Sequence, residues 1–292
     1  MAGGLKEVRS RITSVQSTRQ ITQAMKMVSA AKLRRAQDAI TQMRPYAEKL
    51  QEILANVSST LDSSEGVYSV EREVNNVLVI AITSNRGLCG AFNNNIVKEV
   101  KRLIAEDYAG KNVHVLSLGK KASDTFSKTS HHTTDGYSDT PYEIFDDLTF
   151  GNAGDIATIA MSQFADAKYD RVVVVYNSFK NAAVQDVITE QMLPVVAKAE
   201  EGGSAATEYI FEPNREEIVE NIIPNSIRLQ LFKALLDSHA SEHGARMTAM
   251  HKATDNASDL LKELKLTYNK ARQASITNEI LEIVGGAEAL NG

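Results

Sequence analysis

LKEVRSRITSVQSTRQITQAMKMVSAAKLRRAQDAITQMRPYAEKLQEILANVSSTL (5–61) carries apolar side chains at a sustained 3,4 spacing. The seam runs Leu5, Val8, Ile12, Val15, Arg19, Thr22, Lys26, Ser29, Leu33, Ala36, Ile40, Met43, Ala47, Leu50, Leu54, Val57, Leu61. Only Arg19, Thr22, Lys26 and Ser29 interrupt it. Such a run describes a coiled coil and not a single amphipathic surface helix. As a continuous helix it would reach ~85 Å. Pro45 lies inside it, off the seam, and is expected to bend it or open its hydrogen bonding locally. A lysine or arginine in a coil seam is costly to bury. The polar slots are therefore expected to face something other than the coil partner. Over the same stretch the apolar stripe steps by one residue to Ile21, Met25 and Val28, so one helix is expected to serve two partners.

Working outward, LDSSEG at 61–66 reads as a helix stop and linker. NNVLVIAIT at 75–83, NVHVLSL at 112–118 and RVVVVYNSF at 171–179 read as buried strands. Helices are expected near 92–107, after Gly119 and at 153–167. VQDVITEQMLPV at 184–195 and EYIF at 208–211 read as β elements at a sheet edge, given Pro194. Apolar strands separated by helices predict a mostly parallel sheet. A second heptad frame follows: Leu236, Ala240, His243, Met247, Met250, Thr254, Ala257, Leu261, Leu264, Tyr268, Ala271. Ala245, Ala249, Ala253 and Ala257 would let another helix approach closely. From Ile276 the stripe again steps by one, through Ile280, Ile283, Ala287 and Leu290.

The fold class expected is α/β. A long antiparallel two-helix coiled coil is formed by both termini, 1–61 and 213–292, with a Rossmann-like, mostly parallel α/β domain inserted at 75–212. The second helix is the longer, so roughly 25–30 Å of it should protrude. That overhang holds Ile276, Ile280, Leu281, Ile283, Val284 and Leu290, and no Lys or Arg after Arg272. An apolar tip without an internal partner needs an external one.

The 292 residues are 43% apolar, 24% charged and 6% aromatic, with no Trp, which suits an Ala-rich helical protein better than a β-sandwich. One cysteine, Cys89, excludes an internal disulfide framework and fits a reducing compartment. VLVIAI at 77–82 and VVVVY at 172–176 are far shorter than the ~20 residues of a membrane span. The heptads begin at Leu5, so no signal or transit peptide is expected and the chain reads as cytosol-side. Net charge is −5, but residues 1–50 hold ten Lys/Arg against three Asp/Glu, leaving that segment at +7. A basic helix on an acidic chain points to an anionic partner or to an ordinary solvated face.

No catalytic pattern is complete. His239-Ala-Ser-Glu242-His243 fits H-x-x-E-H, yet His243 sits in a seam slot and no third ligand follows at a suitable spacing. The strand-loop-helix ITSNRGLCGAFNNNI at 82–96 places glycines as a phosphate cradle would, but matches neither G-x-G-x-x-G nor G-x-x-x-x-G-K-[ST]. Gly119-Lys120-Lys121 lacks the upstream glycine and the Ser/Thr. Cys89 has no His or Asn pattern beside it and reads as a small buried side chain. His131 and His132 lie in a polar stretch and read as solvent-exposed. No metal and no cofactor are expected. Two classes remain: a scaffolding or mechanical coil within an assembly, and a nucleic-acid-binding coil. Lys26, Lys32, Arg34 and Arg35 are interleaved with Met25, Met27, Val28 and Leu33, which favours a protein partner with apolar and acidic surface.

MAGGLKEVRSRITSVQSTRQITQAMKMVSAAKLRRAQ (1–37), ITSNRGLCGAFNNNI (82–96), SEHGARMTAMHKATDNA (241–257) and NKARQASITNEILEIVGGAEAL (269–290) closely resemble the gamma subunit of F-type ATP synthases. The resemblance implies a rotor without a catalytic site of its own. It would couple proton flow to ATP synthesis or hydrolysis on alpha and beta, and regulate ATPase activity. It implies partners: three alpha and three beta subunits, epsilon and the c-ring, with no nucleic acid and membrane contact only through the complex. By the same resemblance Met25, Lys26, Lys32, Arg34, Arg35, Arg272 and Gln273 would contact beta. Ile276, Ile280, Ile283, Val284 and Leu290 would seat in the alpha–beta sleeve. The lone cysteine excludes the dithiol insert of chloroplast relatives. A bacterial chain, peripheral on the cytoplasmic face of the cell membrane, is the expectation.

Overall fold

The structure is a computed structural model and describes residues 2–58, 67–195 and 215–291. The segments LDSSEG and EYIF therefore lie outside the described residues. Two helices dominate: α1 (Ala2–Ser58) and α5 (Arg215–Asn291). Between them come β1 (Asn76–Ile82), α2 (Phe92–Arg102), β2 (Asn112–Leu118), α3 (Lys120–Phe126), α4 (Phe150–Ala165), β3 (Arg171–Phe179) and β4 (Gln185–Leu193). α1 runs through Pro45 and α5 through Pro224 without interruption.

The chain divides into two compact units. One is Ala30–Ala245. Its sheet has the order β2-β1-β3-β4, parallel except for β4, which pairs antiparallel with β3 as the edge strand. Alternation along β1 decides the layering. Leu78, Ile80 and Ile82 point to one face, where α4 and the Ile227–Leu235 stretch of α5 supply Ala157, Phe164, Ile227, Leu231 and Leu235. Val77, Val79 and Ala81 point to the other, toward Ile96, Val100 and Leu103 of the α2 region and Ala122 and Phe126 of α3. Both faces are covered, which is why the strands read as unbroken apolar runs. Each fully buried valine of β3 contributes about 1.5–3 kcal/mol relative to exposure.

Two local departures have physical causes. The expected helix near 92–107 is α at first and passes into a π-turn over Leu103–Asp107, where Tyr108 N donates to Leu103 O at 2.8 Å. That wider turn lets Arg102 fork onto both Glu99 (2.7 Å) and Asp107 (3.0 Å). His131 and His132 are half-buried rather than exposed. Their segment lies along the edge of β2, with Val115 N donating to His131 O at 2.6 Å.

The other unit is Met1–Ser29 with Arg246–Gly292. Its helices are antiparallel: Thr254 Oγ1 donates to Thr22 Oγ1 at 2.9 Å, and Lys26 Nζ lies 3.3 Å from His251 Nδ1. As the first number rises the second falls. This register sets Ala2 opposite residues near 275, so about 16 residues of α5, or ~24 Å, extend beyond α1.

Candidate functional site

The loop at 83–91 follows β1 at the place where the chain crosses from one side of the sheet to the other, between β2 and β3. Ligands of open α/β sheets bind there. In this chain the crevice is stitched to itself. Lys120 N donates to Asn85 Oδ1 (3.0 Å), Lys121 N to Ser84 O (3.2 Å), Ala122 N to Thr83 Oγ1 (2.9 Å) and Ser123 N to Gly119 O (3.1 Å). The first-turn donors of α3, the groups that would cradle a phosphate, are thus consumed. Gly119, at φ +144°, permits this closeness, since a Cβ would strike the Thr83 carbonyl and hydroxyl. Cys89 is buried, with Asn93 Nδ2 donating to its sulfur at 3.2 Å.

His239 and His243 set their Nε2 atoms 3.2 Å apart, rings at 85°, with Phe145 stacked on His239. The two Nε2 atoms are within hydrogen-bond distance of each other, the donor being set by the tautomers. Among the described residues no three His, Cys, Asp or Glu side chains gather as a metal site.

The outer surfaces of the two helices carry the remaining candidates. Every seam position from Leu5 to Ser29 is buried or half-buried, including the polar four. Thr22 is 9% and Ser29 3% exposed, whereas Ile21 and Val28 are 60% and 57% exposed. The expectation that the polar slots turn away from the coil partner is therefore overturned. They stay in the seam, where Thr22 meets Thr254, while Ile21 and Val28 of the displaced apolar stripe face outward and its Met25 is half-buried. α5 behaves the same way. The covered positions continue in frame through Ala271, Ser275 and Asn278, while Ile276, Ile280, Leu281, Ile283 and Val284 are exposed. Leu290 belongs to α5, but its side chain lies outside the described residues.

Met25 and Lys26 are half-buried at the coil seam, and Lys32, Arg34 and Arg35 are exposed on α1. Arg272 and Gln273 are exposed one turn before the apolar tip. Met25 and Lys26 share one turn of α1, and Arg272 and Gln273 adjoin the tip on α5; the candidates form patches along two helices and not one pocket. Two features escaped the sequence reading. One is the Thr22–Thr254 pair. The other is His251, whose Nδ1 faces Lys26 and also lies 3.5 Å from Asp255 Oδ2. Pairing the two heptad frames would have signalled the first, since Thr22 and Thr254 both hold seam slots; His251 lies beside the second frame, next to Met250.

A family model described as ATP synthase matches residues 4–290. The ATP synthase gamma chain of Flavobacterium johnsoniae is 61% identical over 289 residues, covering 99% of each chain. A central-stalk chain of the Tetrahymena thermophila mitochondrial ATP synthase superposes with a TM-score of 0.57 at 27% identity, covering 80% of this chain and 99% of that one. A chain from the Euglena gracilis mitochondrial ATP synthase, in its OSCP/F1/c-ring assembly, gives a TM-score of 0.67 at 23% identity, covering 99% and 95%, and shares the fold.

Proposed function

This chain belongs to the ATP synthase gamma-chain family, and we propose that it acts as the central-stalk rotor by turning its apolar C-terminal tip and basic helix against alpha and beta. The observation that carries the reading is the antiparallel coil whose α5 outruns α1 and exposes Ile276, Ile280, Ile283 and Val284. An exposed apolar run of this kind needs a sleeve of protein around it. Proton flow through the membrane sector would turn the chain, and its asymmetric surface would drive the beta sites through their states in turn. The same contacts would let it regulate ATPase activity. The partners are alpha and beta, three of each, with epsilon and the c-ring at the other end.

The chain supplies no catalytic group and binds no cofactor on this reading. Support comes from the crevice at 83–91, whose donors are taken by its own residues. Among the described residues no helix is long and apolar enough to cross a membrane. The place proposed is peripheral, on the cytoplasmic face of a bacterial cell membrane, held there by the complex. The nucleic-acid alternative has no support from the relatives. Co-expression with alpha and beta tests the reading. The chain should co-purify with both and confer ATP-driven turnover, and should hydrolyse no ATP alone. Failure to assemble, or steady turnover by the isolated chain, would overturn it.

A further inference from the structure

Lys26, one of the proposed beta-contact residues, has a side-chain partner across the coil. Its Nζ lies 3.3 Å from His251 Nδ1. The same Nδ1 lies 3.5 Å from Asp255 Oδ2, one turn further along α5. A single imidazole nitrogen therefore stands within reach of an ammonium donor on one helix and a carboxylate acceptor on the other. It can satisfy only one of them at a time. Bare, it accepts a hydrogen bond from Lys26; carrying a proton, it donates to Asp255 and has nothing to offer a donor. All three side chains are solvent-accessible, and among the described residues the charged groups within reach of His251 are Lys26 from α1 and Asp255 from its own helix.

We propose that His251 is a positioning residue for Lys26. Neutral, in the tautomer whose proton sits on Nε2, it accepts from the lysine and ties it across the coil. When protonated it turns its bond to Asp255, repels the ammonium and releases it to the acidic partner surface. Histidine is the side chain whose charge changes between about pH 5 and 8. The sign follows: acidification frees Lys26, and a return to alkaline pH recaptures it. Both bonds are exposed, so the exchange is shallow and reversible, as a contact remade at every turn requires. The value of the release to the motor rests on the reading above, that Lys26 meets beta. The exchange itself does not.

The test is competitive acylation of the full-length chain, followed by mass spectrometry, at pH 6 and pH 8. Lys26 reactivity is expressed as a ratio to Lys6, an exposed lysine of the same helix, which removes the common effect of pH on amines. The ratio should be about twofold to fivefold higher at pH 6, the range open to an exposed pair. His251→Gln keeps an acceptor for Lys26 but cannot charge. Its ratio should be the same at both pH values and close to the parental value at pH 8. Asp255→Asn should shrink the parental response. Thermal melts of both variants check that the coil is intact. A parental ratio indifferent to pH, or an unchanged response in His251→Gln, overturns the proposal. A separate arm measures ATP hydrolysis by the assembled complex carrying Lys26→Gln across a salt series. If that variant matches the parent while the acylation ratio still responds, the exchange stands and the beta contact is what fails.

Discussion

At the scale of single residues, environment decides what an unremarkable side chain does. His114 on β2 is half-buried against the edge of the Tyr169 ring, with ring centroids 5.6 Å apart. Burial, then the nearby Lys168 and His131 charges, push its pKa below the ordinary 6.5. A histidine so depressed binds fewer protons folded than unfolded, so its contribution is intact above pH 6.5 and is lost as pH falls toward the lowered folded value. Thermal melts at pH 7.5 and 5.5 should show a loss of stability on acidification that is smaller in His114→Gln; an equal loss in both would contradict the assignment. Arg272 and Gln273 are exposed. The double alanine variant should therefore melt with the parent within about 0.5 kcal/mol. If the pair touches beta, a charge-assisted contact of ~1.5–3 kcal/mol is removed there, and ATP synthesis by the complex should fall by tenfold or more. Parental synthesis rates would exclude the contact.

At the scale of elements, the strands and the seam were legible because burial writes itself as periodicity. β1, β2 and β3 are covered on both faces and appear as apolar runs; α1 and α5 are covered on one stripe and appear as heptads. The polar slots depart from the expectation because a polar side chain can be buried in a seam when it is hydrogen-bonded. Thr22 and Ser29 are buried and polar: Thr22 accepts from Thr254 and donates to Arg19 O, so its hydroxyl is satisfied. A hydroxyl pair of this kind fixes register at little net gain in stability. Replacing both threonines by valine should change stability by less than about 1 kcal/mol, since an isosteric apolar pair leaves no orphaned donor. Distance distributions between spin labels on the two helices should broaden, reporting looser register; an unchanged distribution would refute that role. The π-turn after α2 left no trace in the sequence, because a single wider backbone turn does not change the apolar pattern; Arg102 reaching both Glu99 and Asp107 is seen only in the geometry. The loop at 83–91 was legible as a phosphate cradle in outline only, since the groups that fill it, Asn85 and Thr83, look like any loop polar residues.

At the scale of the whole molecule, the crevice after β1 is filled by the chain's own groups, and the proposed contacts lie on the exposed surfaces of two helices. The basic residues Lys32, Arg34 and Arg35 are exposed, and the contacts with acidic surface on beta proposed for them would have to be made and released at every turn. Exposed pairs of about 0–1 kcal/mol suit that cycle and are screened beyond ~8 Å at physiological salt. Arg34→Gln with Arg35→Gln should change ATP hydrolysis by the complex modestly, and the corresponding glutamates should depress it strongly at low salt with recovery as salt rises. Equal rates for the two variants at low salt would remove electrostatics from the contact. Rotation itself is observable directly. Cys89 is buried, so Lys111→Cys, at an exposed turn before β2, gives a single surface thiol for a bead or a fluorescent rod. With alpha and beta fixed to a surface and ATP supplied, the probe should revolve in one direction, dwelling as many times per turn as there are catalytic subunits. Sustained ATP hydrolysis with the probe stationary would contradict the account.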